Sequence, residues 1–139
     1  MQNELTGGDL LDARGRLAEA GWARGEAKRY SRRAIRAPWY RIKEWDYYCV
    51  LGPDYGFACV VADNGYMGLL NAVWLDLRTP RAIEEGVILP FPGGRMELAE
   101  SADTGDVVQH HPKIDIAFRH GPGGRRLTLD YPGFGKGKG

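Results

Sequence analysis

The chain has 139 residues, of which 20 are Gly and 8 are Pro, so about one residue in five interrupts regular structure against roughly one in eight in an average chain, which excludes a fold of long helices. Apolar residues at 43% and charged residues at 27% describe a globular domain rather than a disordered chain, and no window approaches the roughly 18 consecutive apolar residues of a membrane span or the apolar core of a secretory leader. The net charge of +1 hides a segregation along the chain: −3 over residues 1–13, +8 over 14–43, −8 over 44–115 and +4 over 116–139.

The expectation is one soluble β-rich domain over residues 1–132 with a flexible Gly/Lys tail at 133–139, too poor in apolar surface to offset its ordering entropy. The basic run could neutralise phosphates, but the acidic remainder matches it in magnitude and charge runs are commonly solvated faces, so no nucleic-acid partner is expected. Cys49 and Cys59 are too few for a disulfide framework and lack zinc-finger spacing, which fits a reducing, cytoplasmic compartment.

In chain order, Leu10 to Leu17 has apolar ends around an Asp-x-x-Gly centre and reads as a small hairpin. From Gly21 to Pro38 the pattern is irregular and basic, with room for a helical turn near 31–36 that Ser31 would cap and Pro38 would end. Arg41 to Leu51, rich in aromatic and β-branched residues, predicts a long central strand. The Gly52-Pro53-Asp54-Tyr55-Gly56 segment then turns the chain into a return strand, Phe57 to Ala62. Asn64-Gly65 turns again into a third run, Tyr66 to Leu77, and Ile83 to Leu89 adds a short strand closed by Pro90, Pro92 and Gly93-Gly94. Glu97 to Asp106 reads as a polar loop. Ile114 to Arg119 and Arg126 to Tyr131 alternate with period two on either side of Gly121-Pro122-Gly123-Gly124 and predict a second hairpin. The fold class is therefore all-β, a mainly antiparallel meander with an irregular or helical basic N-terminal arm.

The sequence Arg41-Ile42-Lys43-Glu44-Trp45-Asp46-Tyr47-Tyr48 and the later Ala62-Asp63-Asn64-Gly65-Tyr66-Met67-Gly68 resemble the family called domain of unknown function 2804. Leu10 to Gly15, Gly21 to Arg24, Arg32 to Arg36 and Trp74-Leu75-Asp76 support the resemblance, which spans roughly residues 10 to 90. The resemblance implies a larger protein of which this chain is similar to the N-terminal half, and more distantly a likeness to lipocalin-like paired barrels, some of which handle isoprenoid ligands. It implies no established activity. A half barrel of six or seven strands would leave a sheet edge open, so a homodimer or pairing with a C-terminal half is expected of it.

On the long strand Lys43, Trp45, Tyr47, Cys49 and Leu51 share one face, and Ile42, Glu44, Asp46, Tyr48 and Val50 the other. Pairing of positions that sum to 108 would set Trp45 opposite Asp63, Tyr47 opposite Val61 and Cys49 opposite Cys59, with Lys43 diagonal to Asp63. Lys43 and Asp63 then either orient an apolar or amphipathic small molecule in a cavity walled by Trp45, Tyr47, Tyr66 and Trp74, or form a buried structural ion pair. An odd sum breaks the grouping. Glu44 and Asp46, roughly 7 Å apart on one face, are the weak candidates for acid/base chemistry of a hydratase or cyclase on an isoprenoid, against a solvent-facing acidic stripe answering Arg32, Arg33 and Arg36. His110-His111 point to opposite faces of a strand, so no metal is expected, and without a phosphate loop or nucleophile elbow no cofactor is expected either. The rival to ligand binding and catalysis is an interaction module acting through an open strand edge.

Overall fold

Runs of alternating or continuous apolar residues bounded by Gly and Pro become seven antiparallel strands in the computed structural model, which describes residues 2–136. These are β1 Glu44–Leu51, β2 Tyr55–Asp63, β3 Met67–Asp76, β4 Arg81–Pro90, β5 Val107–His111, β6 Ile114–Gly121 and β7 Gly124–Asp130. They form two sheets, β1-β2-β3-β4 and β5-β6-β7, each a meander of neighbours, and the sheets do not close into a barrel. Three hairpins turn at a Pro-led pair of residues, Pro53-Asp54, Pro112-Lys113 and Pro122-Gly123, where the ring presets the first turn residue.

The core lies between the two sheets. Cys59 and Val61 of β2, Leu70 of β3 and Val107, Ile114, Ile116 and Phe118 of β5 and β6 are buried together, and the Tyr48 and Phe118 rings meet edge to face with centroids 4.7 Å apart. The connection between the sheets is polar loop for the most part, as expected, yet it delivers buried Met96 and half-buried Leu98 and Ala99 to that core. A side chain at Gly68 would collide with the Met96 Sδ at 2.7 Å, so the absent Cβ on β3 is what admits Met96. Gln109 of β5 ties this segment down by donating from Nε2 to the Met96 carbonyl at 2.8 Å.

The arm is irregular. Its small hairpin reduces to a Leu11–Leu17 bridge around a turn in which the Asp12 carboxylate accepts the Arg14 and Arg16 amides. Much of its basic charge is answered by the arm's own acids: Arg16 by Asp12, Arg24 by Glu4, Lys28 by Glu19 and Arg29 by Asp9. Glu19 also accepts from Asn3 and Thr6, and with Lys28 leading these partners its carboxyl is pulled down to about 2. Arg32 instead crosses to the sheet, pairing with Glu44.

Several expectations need correction. The helical turn is a 3-10 turn at Arg32–Ala34, and Ser31 does not cap it with its side chain, donating instead to Glu100 Oε1 at 3.3 Å. The long strand begins at Glu44 because Trp39–Arg41 forms a second 3-10 turn. Position sums of 107, not 108, relate β1 to β2, since the connection is the two-residue Pro53-Asp54 turn, with Gly52 N donating to Tyr55 O at 2.7 Å. Cys49 and Cys59 consequently lie on opposite faces of the sheet, both as free thiols, and burial pushes the Cys59 thiol up to about 11. β5 is a strand where none is expected from the sequence. Of the expected tail, residues 133–136 form a turn beginning at Tyr131, whose ring lies 5.7 Å from that of Phe134, while 137–139 lie outside the described residues. Among the described residues no helix is long and apolar enough to cross a membrane.

Candidate functional site

The observed register gives the four-stranded sheet two faces of different character. One packs on the β5-β6-β7 sheet; the other, the outer face, is built of four cross-strand rows: Trp45-Ala62-Leu69-Ile88, Tyr47-Val60-Asn71-Gly86, Cys49-Ala58-Val73-Glu84 and Leu51-Gly56-Leu75-Ala82. Asn71 and Glu84 are the only strongly polar side chains among these sixteen positions, and they bond each other, Asn71 Nδ2 donating to Glu84 Oε1 at 3.1 Å. Trp45 is 62% exposed, Tyr47 57%, Leu51 66% and Ile88 66%. Four large apolar side chains thus stand in solvent around a floor whose Ala58 and Ala62 are buried by their neighbours.

This register disperses the expected ligand set. Lys43, Trp45 and Tyr47 belong to the outer face or its rim, but Asp63 turns inward and is 2% exposed. Its Oδ1 accepts the Gly65 amide at 2.8 Å and its Oδ2 the Met96 amide at 3.4 Å, so it holds the β2–β3 turn against the inter-sheet connection. No Lys43–Asp63 pair forms. Lys43 Nζ donates to the Asn64 carbonyl at 2.6 Å and the Tyr40 carbonyl at 3.2 Å, and lies 4.0 Å from the centroid of the exposed Tyr66 ring. Trp74 is on the inner side of β3 near the end of the sheet, stacked on Tyr55 with centroids 5.0 Å apart. Lys43 and Tyr66 are brought together, Trp45 and Tyr47 share a face, and Asp63 and Trp74 are placed elsewhere. Leu51, Leu69, Leu75 and Ile88 were missed, although each follows from period-two alternation once the register is known.

Glu44 and Asp46 do share the inner face of β1, but in unlike surroundings. Glu44 accepts a hydrogen bond from Tyr30 Oη and pairs with Arg32, as the stripe reading expects, but it does so on the core side of the strand with its side chain only 13% exposed, not facing solvent. Asp46 is half-buried, and its Oδ2 has no hydrogen-bond partner among the described residues; neither has Arg125 Nε. Arg125 of β7 is anchored by its other nitrogens, donating to the carbonyls of Gly105 at 3.0 Å and Ala102 at 2.7 Å. Burial raises the Asp46 carboxyl above its ordinary range, with the Arg125 charge opposing. Surface depressions of about 500 Å3 at residues 119–126 and about 470 Å3 between the arm and the segment around Glu100–Thr104 include neither carboxylate.

A carboxyl with a raised folded pKa holds its proton more tightly in the folded state, so stability falls as pH rises from its unfolded value through its folded one. Asp46→Asn is expected to abolish that loss, leaving stability at neutral pH unchanged or higher by less than about 1 kcal/mol. Thermal unfolding followed from pH 4 to 7 reads the difference in slope.

A family model, domain of unknown function (DUF2804), matches residues 2–139, well beyond the span of the sequence resemblance. The chain belongs to this family. No curated protein and no solved structure matches it. Membership in DUF2804 brings no activity with it, and function has to be argued from the two faces of β1. Among the described residues no group of three or more His, Cys, Asp or Glu is placed to hold a metal ion. His110 Nδ1 lies 3.2 Å from Asp115 Oδ1, and His111 Nδ1 accepts the Lys113 amide, both within the β5–β6 hairpin.

Proposed function

We propose that this DUF2804 domain is a binding module whose recognition surface is the outer face of the four-stranded sheet, and that its partner is apolar. The observation that carries the reading is the exposure of Trp45, Tyr47, Leu51 and Ile88 on a face with one polar pair in sixteen positions. Monomeric proteins rarely leave contiguous apolar patches beyond a few hundred Å2 uncovered, and larger ones mark interaction sites. With strands about 4.8 Å apart and rows about 6.7 Å apart, this face measures roughly 500 Å2.

Catalysis by the inner-face carboxylates has less support. Glu44 is committed to Arg32 and Tyr30, and Asp46, although raised in pKa, borders neither of those two depressions. The six-residue ligand set loses its Lys43–Asp63 pair; of its apolar members on the sheet, Trp45 and Tyr47 stand together on the outer face, while Trp74 is 38% exposed on the other side, stacked on Tyr55.

Anilinonaphthalene sulfonate, added to the native chain at sub-micromolar protein concentration, is expected to fluoresce on binding. The double substitution Trp45→Ser and Ile88→Ser is expected to reduce that signal severalfold while the unfolding transition persists. Absence of probe binding to the native wild-type chain would overturn the proposal.

A further inference from the structure

We propose that the partner of the outer face is a second copy of this chain, docked face to face about a two-fold axis parallel to the strands; this rests on the reading of that face as a recognition surface. Such an axis lays β1 of one copy over β4 of the other and β2 over β3, with each row meeting the same row. Tyr47 then stands over Gly86, Leu51 over Ala82 and Trp45 over Ile88. In the middle of the sheet, the small residues of β2 meet the large ones of β3: Ala62 faces Leu69, Ala58 faces Val73 and Gly56 faces Leu75. Large side chains meet small ones in most rows, which is the condition for packing two surfaces to the density of a protein interior.

The two-fold axis perpendicular to the strands fails the same test. It sets β1 on β1, opposing Trp45 to Leu51, and β2 on β2, where Ala58, Ala62 and Gly56 leave a trough unfilled.

Charge does not separate the two arrangements: the single acid of the face, Glu84, meets Cys49 of the other copy in the first and Gly86 in the second, and never its own counterpart. It lies on the edge strand β4 and keeps its bond to Asn71 in either. Two patches of roughly 500 Å2 bury about 1,000 Å2 before the height of the side chains is counted, which reaches the lower bound for a specific interface. Lys43, bonded to main-chain carbonyls beside Tyr66, lies at the rim, where polar groups stay in water.

Sedimentation equilibrium of the 139-residue chain is expected to show a reversible monomer–dimer equilibrium. Ile88→Lys and, independently, Tyr47→Lys are each expected to weaken it roughly 30-fold or more, because each sets a charge against an apolar part of the other copy, Trp45 for Ile88 and the β4 backbone at Gly86 for Tyr47. Glu84→Cys supplies a second accessible thiol. On opposed sheets about 10 Å apart it comes within reach of the partner copy's position 49 thiol for a short bis-maleimide, whereas within one chain the two positions are about 14 Å apart, so cross-linked dimer without intrachain product is expected.

A dimer insensitive to both Lys substitutions overturns the proposal, as does a chain that stays monomeric up to hundreds of micromolar. If that monomer still binds anilinonaphthalene sulfonate through Trp45 and Ile88, the recognition surface stands and only the second copy is wrong. If the probe fails as well, both readings fall. A dimer that Tyr47→Lys dissociates, but whose Glu84→Cys variant yields no cross-link to Cys49 of the other copy, contradicts the two-fold axis parallel to the strands.

Discussion

Phe118→Ala is expected to lower the free energy of unfolding by about 3–5 kcal/mol, a large part of what holds a domain of this size folded. The ring is fully buried, among the largest of the completely enclosed side chains, and it is the β6 residue that meets Tyr48 of β1 edge to face across the core. Truncation removes both the transferred apolar surface and the aromatic contact, and Val107 and Leu127, its cross-strand partners, are fixed in their own ladder and cannot collapse into the space. Because Phe118 is a principal bridge between the two sheets, the loss is expected in one cooperative transition, read by urea unfolding. A drop below about 1 kcal/mol would mean that the sheets do not depend on each other.

The second large effect concerns Asp63. Asp63→Ala is expected to cost about 2–4 kcal/mol, because the buried amides of Gly65 and Met96 both lose their acceptor. Asp63→Asn retains an oxygen and is expected to lose less than half as much. The same turn requires glycine at position 65, which takes φ of 79° and where a Cβ would lie 2.7 Å from the Trp39 carbonyl oxygen. The pair of substitutions separates a carboxylate that builds a turn from one that would orient a ligand. In the latter case stability would be nearly unchanged by either.

How much of this was legible in the sequence depends on what fixes each feature. The all-β class and six of the seven strands follow from period and punctuation, and Gly121-Pro122-Gly123-Gly124 names its own hairpin. β5 was hidden because Val107 to His111 is short and half polar. The signal that would have found it is Pro112-Lys113, the same Pro-led turn as at Pro53 and Pro122.

Register was the costly uncertainty. A turn one residue longer after Leu51 would have faced Trp45 with Asp63. The two-residue turn sends Asp63 inward instead and lines Trp45 up with Ala62, Leu69 and Ile88. Which side chains of β1 share a face was read from alternation alone, but the face that turns inward was not: Trp45 and Tyr47, expected to wall a cavity, stand in solvent, while Glu44 and Asp46, expected to face solvent, share the side of Tyr48 that packs on the core. The row each joins required three consecutive registers. Arg125 beside Asp46 lay beyond reach for another reason: the contact joins two sheets, and no spacing along the chain encodes it.

The most direct test compares the two faces of the sheet in one experiment, urea unfolding at sub-micromolar concentration of Ile88→Ala beside Phe118→Ala. Both remove large apolar side chains. If the outer face is a recognition surface and not core, Ile88→Ala changes stability by less than about 1 kcal/mol while Phe118→Ala costs about 3–5 kcal/mol. Comparable losses for the two would contradict the account, because Ile88 would then be part of what holds the monomer together.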